Sequence, residues 1–135
     1  MGGYIKRDVK RVEVSPLNTK VNKEVFDNFK DACKRRGYPM NVMLEIFMWQ
    51  YANGRFHIDA DDILKFKNDD SEMDTLNTTF SKDIYNEFKA ACRNNKDGKF
   101  FVKHVVTAFM EKFASGCLVP EFVEVTEVVK SDTRG

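Results

Sequence analysis

One stretch of this chain occurs twice, and that repetition constrains the fold more than any other feature. Residues 17–34 read LNTKVNKEVFDNFKDACK, and residues 76–93 read LNTTFSKDIYNEFKAACR. Eight of the eighteen aligned positions are identical, among them Leu17/Leu76, Asn18/Asn77, Phe29/Phe88 and Cys33/Cys92. Chemical neighbours fill most of the rest, including Val25/Ile84, Phe26/Tyr85 and Glu24/Asp83. The echo resumes at Phe47-Met48 and Phe109-Met110 and runs on through Ala52/Ala114 and Gly54/Gly116. The offset is 59 residues in the first block and 62 in the second, so the second copy holds three extra residues between them. Two copies are too few for a solenoid. They predict a duplicated unit closing into one pseudo-symmetric body.

Each copy opens with period-two alternation, the mark of a half-buried strand. In the first copy Leu17, Thr19 and Val21 share one face, and Asn18 and Lys20 share the other. In the second, Leu76, Thr78 and Phe80 point inward while Thr75, Asn77 and Thr79 point out. Pro16 argues against a central ladder position nearby. The strands stop at helix-start signals, Asn22 and Ser81 as N-caps, each followed by an acid in the first turn, Glu24 or Asp83. An apolar stripe follows at helical spacing: Val25, Phe26, Phe29, Ala32, Cys33, and its twin Ile84, Tyr85, Phe88, Ala91, Cys92. Gly37 closes the first helix and Pro39 suits the opening of the next. Asn94 to Gly98 makes the corresponding, longer turn in the second copy. The last element of each copy is apolar nearly all round, from Val42 to Trp49 and from Phe100 to Met110, so it needs partners on more than one side. Met48 and Trp49 are expected in the core.

The segments divide as a basic arm 1–11, a first unit 12–56, an acidic linker 57–74, a second unit 75–119 and a tail 120–135. The arm carries Lys6, Arg7, Lys10 and Arg11 against Asp8. The linker carries seven acids against Lys65 and Lys67 and is expected to be mostly loop, with Ile63, Leu64 and Phe66 able to pin a short helical turn. Val119 to Val129 alternates valine with glutamate and fits either an extra strand or a mobile tail. The net charge of +1 neither demands nor forbids a nucleic-acid partner. No apolar run spans a bilayer and no leader precedes the chain, so a cytoplasmic protein without a membrane role is expected. Cys33 and Cys92 lie on apolar stripes and read as reduced packing residues. With His57, His104 and Cys117 they show no metal-ligand spacing, so neither a metal nor a cofactor is expected. No nucleophile–base set, paired-carboxylate motif or phosphate-binding glycine loop is present, and catalysis is not expected.

A strand–helix–helix unit of this size cannot bury its own apolar surface. Two units side by side can, if the strands pair antiparallel and the apolar second helices interlock. The outward strand residues of both copies would then share one face of a two-stranded ribbon, an element that fits the major groove of B-DNA.

Leu17-Asn18-Thr19-Lys20-Val21-Asn22-Lys23-Glu24-Val25, followed by a helix, Gly37 and a second helix, resembles the ribbon-helix-helix fold of Arc/MetJ-type repressors. Leu76 to Leu118 resembles it again, and the two together cover about two thirds of the chain. Members of that family are usually homodimers. Here the halves look fused, as in the tandem ribbon-helix-helix accessory proteins of plasmid conjugation, of the TraY type. The resemblance implies a mostly α fold with a short two-stranded antiparallel ribbon, the tandem repeat forming an intramolecular pseudo-dimer. It implies that Asn18, Lys20, Thr75, Asn77 and Thr79 read bases. It also implies phosphate contacts from backbone amides at the start of each second helix, at Met40 and Asn41 and near Val102 and Lys103. Lys6, Arg7, Lys10 and Arg11 would add phosphate or minor-groove contacts.

The partner implied is double-stranded DNA, with further copies of the chain on adjacent half-sites. The role is that of a transcriptional repressor or of a mobile-element accessory factor in conjugation or partition. Pro16 at the first outward position, and Lys20 in the place of Thr79, predict an asymmetric site. A second expectation, favoured by the near-neutral charge, is an antitoxin-like or scaffold module that binds a protein partner through the tail instead of DNA.

Overall fold

The computed structural model describes residues 13–118. The arm and the tail, including Lys6, Arg7, Lys10, Arg11 and the Val119–Val129 alternation, lie outside the described residues. Two strands, β1 (Val14–Asn22) and β2 (Met73–Ser81), pair antiparallel in a two-stranded sheet. Among the described residues there are five helices: α1 (Lys23–Arg36), α2 (Met40–Ala52), α3 (Ala60–Leu64), α4 (Lys82–Arg93) and α5 (Val102–Ala114). Roughly half of the described chain is helical. No helix among these residues is long and apolar enough to cross a membrane.

The strands bury one face, as alternation requires. Leu17, Val21, Leu76 and Phe80 are buried, with Thr19 and Thr78 half-buried between them. Both strands are longer than the alternation alone indicates, and Pro16 lies within β1, opposite Thr79. The reason is the width of the sheet: with two strands each is an edge, and an edge tolerates a proline. Beyond each strand the next helix is tied back to its neighbour. The Lys23 amide donates to the Glu72 carbonyl at 2.9 Å, and the Lys82 amide to the Glu13 carbonyl at 2.8 Å.

Asn22 caps α1 as expected, its Oδ1 accepting from the Val25 amide at 2.9 Å. Ser81 occupies the same position before α4, but its side chain makes no cap bond. Its own amide instead donates to Glu45 Oε1 on α2, at 2.9 Å. Gly37 ends α1 at φ 77°, a left-handed conformation that suits glycine. Its amide donates to Lys34 O and the Tyr38 amide to Cys33 O, the paired bonds of a Schellman motif. In the longer second turn Asn95 does this work differently. Its Oδ1 accepts from the Asp97 amide, and its Nδ2 donates to the Tyr51 hydroxyl at 2.8 Å.

The stripe Val25, Phe26, Phe29, Ala32 and Cys33 is buried throughout. On α4, Tyr85, Phe88 and Cys92 are buried while Ile84 and Ala91 sit half-buried against the core. Helix α1 packs mainly on α5, and α4 mainly on α2, so the helices of one copy lean on those of the other. At the centre the rings of Phe47 and Phe109 stack with centroids 3.8 Å apart. Phe29 meets Phe109 edge-on at 6.0 Å, and Phe88 meets Phe47 edge-on at 5.7 Å. Met48 is buried, whereas Trp49 is only half-buried, with the Arg55 guanidinium 5.9 Å from its ring.

The segment 57–74 is mostly loop and turn around one short helix, as expected, but it is packed rather than loose. It contains α3, its last two residues belong to β2, and Ile58, Ile63 and Phe66 are buried in the common core, while Leu64 is exposed. Two ion pairs dock it on α5: Lys112 Nζ to Asp62 Oδ2 at 2.8 Å and Lys65 Nζ to Glu111 Oε1 at 2.6 Å.

Candidate nucleic-acid interface

The face of the ribbon opposite the helices carries a row of exposed side chains. Cα register places Pro16 opposite Thr79, Asn18 opposite Asn77 and Lys20 opposite Thr75. All six are exposed. Facing residues on an antiparallel pair lie about 4.5–5.5 Å apart, so Asn18, Lys20, Thr75, Asn77 and Thr79 form one continuous patch. None of these five side chains makes a hydrogen bond or ion pair with another described residue; besides the strand ladder, the Thr75 backbone amide donates to Asp74 Oδ1 at 2.8 Å. The amides, hydroxyls and ammonium of the patch are therefore open to a ligand. Val14 and Met73, both exposed, flank it at opposite ends.

Met40 and Asn41 occupy the first turn of α2, and Val102 and Lys103 the first turn of α5. Both helices start from an extended residue, Pro39 or Phe101, that gives no side-chain cap, and neither has an acid in its first turn. The first backbone bond of α2 is made by the Met43 amide, and that of α5 by the His104 amide. The amides of Met40, Asn41, Val102 and Lys103 precede these bonds, so both helix starts hold open donors and the positive end of a helix dipole. By contrast α1 and α4 carry Glu24 and Asp83 in their first turns.

The structure joins one of these helix starts to the ribbon. Lys20 of β1 and Lys103 and His104 of α5 line one cavity of about 260 Å³, together with Asn22, Lys67 and Asp69. His104 is 8% exposed. Burial, with Lys103 and Lys67 close by, holds its imidazole below the ordinary 6.5. Sequence reasoning weighed His104 only as a metal ligand and counted Lys67 only against the acids of its segment. The one available signal was that His104 stands three residues into a helix that lacks a capping acid.

Among the described residues no three His, Cys, Asp or Glu side chains gather as a metal site would require. His57 is exposed and lies near Asp59 and Asp97 at 3.6 and 3.8 Å. Comparison with known proteins finds no match, whether to a family model, a curated protein or a solved structure.

Proposed function

We propose that the chain is a tandem ribbon-helix-helix protein, its two copies folded as an intramolecular pseudo-dimer, that binds double-stranded DNA through the β1–β2 ribbon. The observation that carries this reading is the exposed row of Asn18, Lys20, Thr75, Asn77 and Thr79, unengaged by any described neighbour on one face of a two-stranded ribbon. The pseudo-dimer is supported by where the repeat-related residues meet. Asn18 is paired with its own counterpart Asn77, and Phe47 stacks on its counterpart Phe109. Both pairs are what a two-fold relation between the copies requires.

In the major groove, about 12 Å wide, the patch has the chemistry for base readout. Asn18 and Asn77 can each pair with an adenine N6/N7 edge, Lys20 can donate to guanine O6/N7, and Thr75 and Thr79 can bond a base edge or touch a thymine methyl. The open amides at Met40, Asn41, Val102 and Lys103 would clamp phosphates and fix the register. Such a protein acts by binding, in the cytoplasm, as a repressor or as a mobile-element accessory factor, with further copies on neighbouring half-sites.

Selection from a random duplex library at fixed, near-physiological salt tests the proposal, since phosphate contacts alone mimic binding at low salt. The expected result is a short enriched motif, asymmetric about its centre. Lys20→Ala combined with Asn77→Ala is expected to weaken binding to that motif by about 2–6 kcal/mol, at about 1–3 kcal/mol for each base contact, with the circular dichroism spectrum unchanged. Failure to retain any duplex would sink the reading and turn attention to a protein partner.

A further inference from the structure

The cavity at the Lys20 end of the ribbon is chemically unbalanced. Three lysines, Lys20, Lys67 and Lys103, are among the residues that line it, against one acidic residue, Asp69. None of the three makes an ion pair with a described residue. The Asp69 carboxylate is already committed, accepting from Asn22 Nδ2 at 2.8 Å and from the Ser71 amide at 2.9 Å. His104 is more than nine-tenths buried on the wall of this cavity. Its ring meets Phe101 edge-on at 5.5 Å but makes no hydrogen bond with any described residue. Buried polar groups are ordinarily paired, and here both ring nitrogens await a partner beside unneutralised positive charge.

We propose that this cavity is a phosphate-binding site, with Lys67 and Lys103 supplying counter-charge and the His104 ring donating to a phosphate oxygen. Identifying the occupant as a backbone phosphate of the duplex rests on the DNA reading above; the chemistry of the cavity by itself fits a phosphate group from any source. The site is one-sided. The repeat places Thr79, Asn41 and Val42 where this end has Lys20, Lys103 and His104, and Lys67 has no counterpart. One flank of the bound site would therefore be held more firmly than the other.

Protonation follows from the same geometry. The charged groups acting on His104 are Lys103 on its own helix and Lys67 from the connector, with Asp69 on the same cavity and the Phe101 ring against the imidazole; the Thr107 hydroxyl is spent on the Lys103 carbonyl at 2.6 Å. The lysines favour the neutral ring, and an incoming anion favours the charged one. Binding thus takes up a proton in the window between the free and bound pKa values, so affinity rises as pH falls through that window.

The test uses the full chain carrying His57→Gln, which leaves His104 as its sole histidine. Its imidazole is titrated by NMR in chloride and then in inorganic phosphate at equal ionic strength. The expected result is a saturable rise of the His104 pKa in phosphate, abolished by Lys67→Gln. Equal titration in the two salts would overturn the site, even if duplex binding persists. In the second arm the salt dependence of duplex affinity is compared between the native chain and Lys67→Gln. A slope reduced by about one supports a DNA phosphate as occupant. An unchanged slope alongside an intact His104 response keeps the site but overturns the DNA occupant in favour of free phosphate. A His104 response in a chain that binds no duplex would overturn the DNA reading and leave the site standing.

Discussion

Asn18 and Asn77 were legible because a strand sends alternate side chains to opposite faces, so the polar members of LNTK and LNTT had one place to go. His104 and Lys67 were not. Their significance comes from β1, the connector and α5 converging on one cavity, and no local pattern encodes that convergence. The cysteines sit between these cases, since their stripe told of burial and the structure adds its chemical consequence. Burial pushes the Cys33 thiol up to about 11 and the Cys92 thiol up to about 12, while Cys117 is exposed. Thiolate is the reactive form. In the folded chain at neutral pH, one thiol, Cys117, is expected to react quickly with a disulfide reagent, and Cys33 and Cys92 only as fast as the chain unfolds. Three fast thiols would show that the α1 and α4 stripes open readily.

Two copies of one element need not be stabilised alike. Asn22 closes a cap bond on α1 and Ser81 closes none on α4. Asn22→Ala is therefore expected to cost about 1 kcal/mol in urea unfolding, and Ser81→Ala less than about 0.5 kcal/mol. Equal losses would mean that the Ser81 hydroxyl caps its helix in solution. The identical placement of the two residues in the repeat concealed this difference, because Glu45 reaches the Ser81 amide from another element.

The connector hid more. Ile63 and Phe66 were expected to pin a helical turn, and the structure adds Ile58, buried with them in the core behind the seven acids. The hydrogen bond and charge of Lys112 hold the Asp62 carboxyl below its ordinary 3.8. A depressed carboxyl pKa stabilises the fold above the ordinary value and ceases to do so as pH falls through the depressed one. Asp62→Asn should accordingly lower the urea midpoint at about pH 7, with the difference shrinking as pH falls through the depressed carboxyl pKa. A pH-independent difference would assign the loss to packing instead.

For the molecule as a whole the repeat was the decisive signal, since it foretold that both strands and all the large aromatics would be supplied by one chain. The Phe47–Phe109 stack lies at the centre of that core, both rings fully buried. Phe47→Ala is expected to cost about 3–5 kcal/mol. Because the paired strands belong to the same chain, the unfolding midpoint should not move with protein concentration; a midpoint that rises with concentration would reveal an obligate association of chains. The swapped helix contacts, α1 on α5 and α4 on α2, were foreshadowed only in outline. Apolar surface on more than one side of α2 and α5 was read as those two helices interlocking; they meet at the Phe47–Phe109 stack, but each leans mainly on the first helix of the other copy.

The antiparallel ribbon of one continuous chain has a consequence for how such a molecule can change. Where two identical subunits supply the strands, every substitution is made twice, and an alteration useful at one end is imposed on the other. Here β1 and β2 occupy separate stretches of the same chain, so each position varies alone. Val42 and His104 stand at equivalent places in the repeat, yet one is an exposed valine and the other a buried imidazole. Two ends that echo each other in sequence are free to take up different work.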